Sequence, residues 1–588
     1  MTVTDASLRT PLRPLGQILS ARAKGEDPRA IERENIKRRH DHSKEGVRLR
    51  AQGRLLVLGI MFLCLFAAIT LRIGLLAASE PSEPKSQRAG ASIIAQRADI
   101  VDRRGRILAT NMDTHSLYVE TAHLVDPEGT ANALAEVFGD LDANSLLEDF
   151  TGQRKFLWIK RKMSPEQMQA AHDIGDPGLR FGPREMRLYP NGRLAAHVLG
   201  GASFGREGVH AAEVVGVAGV EKTFDQRLRD PAQSGRAMQL SIDLSVQAAV
   251  EQVLYGGMKL LNAKGAAAIL MDVHSGELIA LTSLPDFDPN NRPRPPTQGE
   301  AADSPLFNRA IQGVYELGST FKILTVAQAL ELDLVTPETI VDIRGPIRWG
   351  KKFTISDFRY YGKELSVSDI ITKSSNIGTA RIANMIGSTA QQNFLGALGF
   401  LETIPLEMVE ASGGKPLVPS KWSDLSTMTI SYGHGLSATP LHLAVGYAAI
   451  ANGGLKVKPT LLKGTRKSEP LRVLSADIAA ASLQMLRNVV TLGTASMAEV
   501  SGYAVAGKTG TADKPVKGGY DTDKVIATFA SVFPAYDPKF VLVVALDEPE
   551  DRTGDEPRRT AGWTAVPVSA EIIRRIAPLL GLVPQFEN

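Results

Sequence analysis

Residues 315–332 read Tyr-Glu-Leu-Gly-Ser-Thr-Phe-Lys-Ile-Leu-Thr-Val-Ala-Gln-Ala-Leu-Glu-Leu. Gly318 allows a tight lead-in, Ser319 falls at a helix start, and Ile323 to Leu332 carries a helical pattern. Positions i and i+3 share a helix face, so the Ser319 hydroxyl and the Lys322 amine can meet. A serine hydroxyl is a poor nucleophile unless a neighbouring base takes its proton. A lysine supplies that base when desolvation or a nearby cation lowers its pKa. Ser-x-x-Lys occurs three times in the chain, at Ser82, Ser319 and Ser412. Ser82 lies among prolines and Ser412 precedes two glycines, so only Ser319 has the glycine-then-helix context. Taken alone, a serine N-cap followed by an exposed lysine explains the same letters.

Two further motifs follow in order. Ser374-Ser375-Asn376 is the only Ser-x-Asn in the chain and lies between two helix-like stretches. A hydroxyl can relay a proton, and an amide can both donate and accept. Lys508-Thr509-Gly510-Thr511 is the only Lys-Thr-Gly and follows the strand-like run Tyr503 to Gly507. Gly510 lets a ligand approach the backbone. Lys508 can bind a carboxylate and, as a like charge, lower the pKa of Lys322. Each of these alone reads as a surface turn or a solvated strand edge.

The elements around the motifs suggest an α+β fold. Asp243 to Leu254 is patterned as a helix. Ala266 to Val273 and Glu277 to Ser283 are β-rich runs joined by His274-Ser275-Gly276, a hairpin. Val525 to Phe533 and Phe540 to Leu546 form a second β-rich pair, and Val566 to Leu580 is amphipathic. Helices lie between the strand pairs, so an antiparallel sheet with a helical region is expected. Upstream, Asp102 to Gly105 is turn-like with apolar flanks, and residues 97–239 read as an α+β module.

Composition narrows the class. The 588 residues hold 67 Lys+Arg and 64 Asp+Glu, a net charge of +3, which excludes a chain-wide nucleic-acid footprint. A single cysteine, Cys64, excludes a disulfide framework and multi-cysteine metal sites. No metal-ligand spacing or cofactor motif is read anywhere. Leu55 to Leu71 has no charge and, past Arg72, the apolar run continues to Ala78, 24 residues in all. That is roughly 36 Å of helix, enough to cross a bilayer. Residues 1–54 carry 13 Lys/Arg against seven Asp/Glu. The positive-inside rule therefore places the N-terminus in the cytoplasm and everything beyond residue 78 outside.

Ser-x-x-Lys, Ser-x-Asn and Lys-Thr-Gly in this order match the set shared by serine β-lactamases and penicillin-binding proteins. The chain resembles a class B penicillin-binding protein along almost its whole length. Arg97 to Ala109, Gly219-Val220-Glu221, Ile279 to Asn290, Thr439-Pro440-Leu441 and Ala451 to Gly454 look like framework segments of that family. Ser374 to Gly378 (Ser-Ser-Asn-Ile-Gly) resembles the FtsI-type, cell-division branch. Leu317 and Ile323 stand where the family commonly has proline. The resemblance implies a transpeptidase domain of the penicillin-binding and β-lactamase fold on an α+β pedestal with one transmembrane helix. The expected organisation is a basic cytoplasmic tail (1–54), the span (55–78), a linker (79–96), the pedestal (97–239), the transpeptidase domain (240–577) and a short tail (578–588).

The same resemblance implies the activity: crosslinking of peptidoglycan stem peptides through an acyl-enzyme on Ser319, with covalent inhibition by β-lactams. Lys322 would be the general base, Ser374 a proton relay, and Asn376 would orient Lys322 and the substrate amide. Lys508, Thr509, Gly510 and Thr511 would hold the terminal carboxylate. The backbone N–H groups of Ser319 and Thr511 would form the oxyanion hole. Expected partners are stem pentapeptides ending in D-Ala-D-Ala, β-lactams, a SEDS-family glycosyltransferase (FtsW) and other division proteins of the bacterial inner membrane. An elongation-type enzyme, a carboxypeptidase or β-lactamase of the same fold, and a silent division scaffold are the alternatives. A hydrolase of a diffusible substrate needs neither anchor nor pedestal.

Overall fold

The computed structural model describes residues 15–78, 97–207, 212–233, 236–350, 353–464, 469–516 and 519–586. The expected linker, 79–96, lies outside them. The chain divides into two compact units, Met1–Ile93 and Ile94–Asn588.

The first unit is helical. Leu15–Ala23 is followed by Pro28–Ala78, a single helix of 51 residues. The apolar window Leu56–Ile73 is long and apolar enough to cross a membrane. The helix begins well before the expected span. Pro28 opens it with a φ already suited to a first turn, and Asp27 accepts from the Arg29 N–H at 3.0 Å. Between Pro28 and the apolar window, Arg, Lys, Glu and Ala dominate, all good helix formers.

The second unit opens with the expected hairpin. Ile100–Val101 pairs antiparallel with Ile107–Glu120. Asp102 closes the turn, its Oδ1 accepting from the N–H groups of Arg104 and Arg106 at 2.8 Å each. The long strand Ile107–Glu120 then pairs with Phe156–Met163 on one edge and Leu179–Leu188 on the other. Helices Pro127–Val137, Ala143–Thr151 and Pro165–Asp173 start at Asp126, Asp142 and Ser164, each side chain accepting from a first-turn N–H. They bury Leu117, Val119, Leu134, Phe138 and Phe150 as a separate core.

The base of this module has no core of its own. Ile100, Leu108, Tyr189, Val198 and Val220 are continuous with Ile242, Val246 and Leu254 of the following region. Met238–Gln239 also pairs in parallel with Ile100–Val101. At its centre Glu221, fully buried, receives Arg97 Nε and Arg187 Nε at 2.7 Å each, while Arg97 also binds Asp225 at 2.7 Å. Two buried arginines are tolerable only because carboxylates and carbonyls meet them.

The C-terminal region is built on a five-stranded antiparallel sheet. Its order is Ala506–Val516, Gly519–Phe533, Phe540–Asp547, Gly265–Asp272, Leu278–Leu284. Every residue of Phe540–Asp547 is buried, so both faces are covered. That explains why these strands read as continuous apolar runs rather than alternating ones. Helix Leu244–Leu260, capped by Asp243, and helix Ala565–Leu579 pack on each other and on the sheet. Pro440–Ala451, buried along all its length, packs against the central strands. The helical region between the strand pairs holds Lys322–Glu331, Val367–Lys373, Asn376–Ile386, Ser388–Leu398, Asp424–Ser431 and Ala476–Thr491. It also holds two small two-stranded sheets, Ile340–Asp342 with Glu364–Ser366 and, between them in sequence, Ile347–Trp349 with Phe353–Ile355.

Candidate active site

Gly318–Phe321 forms one 3₁₀ turn, and the α-helix itself begins at Lys322 rather than at Ser319. In a 3₁₀ turn residues i and i+3 eclipse, so Ser319 and Lys322 still fall on one side. The turn is wedged tightly. Gly318 has φ +55, and a Cβ there would stand 2.8 Å from the Thr511 carbonyl oxygen. A Cβ on Gly433, with φ +86, would stand 1.9 Å from the Gly318 oxygen. Only glycine lets the backbone come this close in these conformations. The buried Tyr447 hydroxyl donates to the Thr320 carbonyl at 2.8 Å and fixes the turn from below. The edge strand and the serine turn are thus brought backbone to backbone, with Thr511 beside Gly318.

Ser374 is the meeting point of the three motifs. It caps helix Val367–Lys373 with a left-handed φ of +65. Lys322 Nζ donates to its carbonyl at 2.5 Å and approaches its hydroxyl at 3.0 Å. Lys508 Nζ approaches the same hydroxyl at 3.0 Å and donates to the Thr509 carbonyl at 3.2 Å. Both lysines are fully buried, whereas Ser319 is half-buried at the cleft. Among the described residues the Ser319 side chain makes no hydrogen bond. Lys322 turns to Ser374 because a carbonyl and a hydroxyl together satisfy a buried amine better than one hydroxyl does. Catalytic contacts of this kind commonly tighten only when substrate is present.

Asn376 departs from expectation. It is the first residue of helix Asn376–Ile386, and its Nδ2 donates to the Ser356 carbonyl at 2.9 Å, away from Lys322. The expected contact between Asn376 and Lys322 is therefore absent, because Ser374 occupies the lysine. The strand carrying the third motif begins at Ala506, so Lys508 to Thr511 lies on the edge strand, with Lys508 buried rather than solvated. Lys508 is enclosed and faces Ser374, so its charge can reach the cleft only as a field and not by direct contact with solvent. The Thr509 and Thr494 hydroxyls are 2.8 Å apart, and Thr511 Oγ1 accepts from the Ala561 N–H at 3.0 Å. That acceptor bond leaves the Thr511 hydroxyl proton for a ligand.

The sequence reading missed Gly433, Tyr447, Thr494 and Ala561. The pair of glycines around His434, in Tyr432 to Gly435, was an available signal for the first. The others carry none, since each contacts the site across the fold.

Burial holds Lys322 well below the ordinary lysine range, and the like charge of Lys508 pushes the same way; Asp357 opposes both. Burial pushes Lys508 down to about 7. Lys322 can thus be a free base at neutral pH while Lys508 still carries charge. The signs give a bell. Acylation falls at low pH as Lys322 gains its proton, and falls again above about pH 7 as Lys508 loses its own. Second-order acylation constants for a penicillin across pH check this, and a rate still rising from pH 7 to 9 would count against the Lys508 assignment.

A hydroxyl nucleophile served by a lysine, beside a Lys-Thr-Gly edge strand, defines the active-site-serine acyltransferases of the penicillin-binding fold. Residues 266–574 match the penicillin-binding protein transpeptidase domain, and residues 92–239 match the penicillin-binding protein dimerisation domain. The chain belongs to the class B penicillin-binding proteins. It is 34% identical over 505 residues to a probable peptidoglycan D,D-transpeptidase FtsI of Caulobacter vibrioides, covering 84% of this chain and 82% of that one. It is 28% identical over 487 residues to the peptidoglycan D,D-transpeptidase FtsI of Escherichia coli K12, covering 78% and 80%. Penicillin-binding protein 3 of Mycobacterium tuberculosis, solved in complex with aztreonam, superposes with a TM-score of 0.62 at 25% identity, covering 84% of this chain and 97% of that one.

Proposed function

We propose that this chain is a peptidoglycan D,D-transpeptidase of septal wall synthesis. The observation that carries the reading is the Ser374 hydroxyl, 3.0 Å from both Lys322 and Lys508, with Lys322 itself one turn along from the half-buried Ser319. Ser319 Oγ attacks the penultimate D-Ala carbonyl carbon of a stem pentapeptide, and the Lys322 amine takes the serine proton. The oxyanion lies against the N–H groups of Ser319 and Thr511, a contribution of about 3 kcal/mol per donor in other enzymes. The C–N bond then breaks, and Ser374 passes the proton to the leaving D-Ala amine. An amine of a neighbouring stem attacks the acyl-enzyme, which restores Ser319 and forms the crosslink. Lys508, Thr509, Gly510 and Thr511 receive the terminal carboxylate. β-Lactams, with a strained amide and a carboxylate, acylate Ser319 in the same way.

The basic N-terminal segment stands in the cytoplasm, the helix crosses the inner membrane once, and the catalytic region works outside. A polytopic SEDS-family glycosyltransferase of the FtsW kind is the proposed membrane partner, with other division proteins around it.

Intact-mass analysis of the full chain with a penicillin, followed by peptide mapping, tests the nucleophile: one adduct on the peptide carrying Ser319 is expected. Incubation with pentapeptide-bearing glycan strands is expected to give crosslinked dimer and free D-Ala. Free D-Ala with trimmed monomer alone would make it a carboxypeptidase. Absence of any adduct would make the site vestigial.

A further inference from the structure

Asp357 stands on the loop between strands Phe353–Ile355 and Glu364–Ser366, where its neighbours Phe358 and Tyr360 are 89% and 82% exposed. Its carboxylate nonetheless grips the second motif. Oδ2 accepts from the Ser375 hydroxyl at 2.8 Å, and Oδ1 accepts from the Ile377 N–H at 3.0 Å. The adjoining Ser356 carbonyl accepts from Asn376 Nδ2 at 2.9 Å. Two consecutive loop residues therefore hold three consecutive residues, 375 to 377.

Ser375 is the N-cap of helix Asn376–Ile386, and its oxygen accepts from the Gly378 N–H at 3.0 Å. A hydroxyl has one proton. With that proton given to Asp357, its lone pairs stay turned to the helix N–H. A carboxylate is also favoured at the positive end of a helix. Ser374 and Asn376 flank this cap. Ser374 keeps a left-handed φ of +65, a conformation a non-glycine residue holds only when its surroundings impose it.

We propose that Asp357 is a positioning residue for acyl transfer, holding Ser375 so that the Ser374 hydroxyl and the Asn376 amide stand where Lys322 and the substrate need them. The inference rests on the transpeptidase reading above and adds to it a residue outside the three motifs. A second effect comes from charge. The charged groups facing Lys322 are Lys508 from the edge strand and Asp357 from the loop. Lys508 keeps the amine deprotonated, whereas Asp357 favours its protonated form. Removing the Asp357 charge therefore lets Lys322 remain a free base to lower pH.

Acylation of the full chain in detergent by a fluorescent penicillin, measured against penicillin concentration and pH, separates binding from the chemical step. Asp357→Asn is expected to lower the acylation rate constant roughly 10- to 100-fold, as a small misplacement of reacting groups does. Binding should change little, and the acid limb should move to lower pH. Ser375→Ala is expected to give a similar rate loss with the acid limb unmoved, since the carboxylate remains. Arg359→Ala, on the same loop, should leave both readouts at the parental level. A parental rate and acid limb in Asp357→Asn would overturn the proposal. So would a loss confined to binding, or an equal loss in Arg359→Ala. If Asp357→Asn fails to fold, Ser375→Ala decides, and a parental rate there overturns the proposal. A parent chain that forms no adduct would overturn the transpeptidase reading itself, a result distinct from any comparison among variants.

Discussion

A Ser319→Ala chain is expected to take up no fluorescent penicillin, and a Lys322→Met chain to take it up about 10⁴-fold more slowly, the scale of removing a catalytic base in serine enzymes. Both should remain folded. The Ser319 side chain is half-buried and makes no hydrogen bond among the described residues, so its loss removes chemistry and almost no stability. Lys322 is fully buried, and its desolvation opposes folding. Methionine fills much the same volume without an amine to desolvate, a gain of a few kcal/mol at most. Against it stands the Ser374 carbonyl, which loses its donor at a cost of about 1–3 kcal/mol. The two terms oppose each other, so the melting temperature of Lys322→Met should stay near that of the parent. Gel labelling with a thermal melt on the same preparation reads both. Parental labelling of Ser319→Ala, or a parental rate in Lys322→Met, would remove these residues from the mechanism.

Glu221→Ala is expected to cost about 3–5 kcal/mol, the scale of an uncompensated buried charge. Glu221 is fully buried and meets Arg97, Arg187 and the Tyr189 hydroxyl. Its removal leaves Arg187 with only the Asn111 and Ala98 oxygens, and Arg97 with Asp225 as its one carboxylate. Against total stabilities of about 5–15 kcal/mol, that loss decides whether the chain folds. It also reaches the catalytic region, because Gly219, two residues upstream, donates to Glu410 at 2.9 Å. Urea unfolding of the full chain should show a large fall in midpoint, while acylation per folded molecule stays near parental. A midpoint unchanged in Glu221→Ala would mean that the arginines are solvated and the knot is not structural.

Much of the architecture was legible from local patterns. The hairpin at Asp102 to Gly105, the helix starting after Asp243 and the paired strands at 266–283 and 525–546 are local statements. Turn residues, caps and apolar runs encode them within a few positions. The three motifs were legible for the same reason, as short stretches whose chemistry is written in adjacent letters. Helix extent was less so. The helix at Pro28–Ala78 runs past the span because helix-forming residues precede it, while hydropathy alone marks only the apolar part.

The letters alone name the groups able to react: a serine with a lysine three residues on, a Ser-x-Asn, and a Lys-Thr-Gly on a strand. Which of them meet is a matter of the packed chain. Lys322 and Lys508 both reach Ser374, across 52 and 134 residues, and Asn376 turns to Ser356 instead. Asp357 holds Ser375 across 18 residues from a loop with no motif of its own. A buried amine goes to whatever oxygen the surrounding packing leaves nearest, and that is a property of the whole fold, with no local period or spacing to record it.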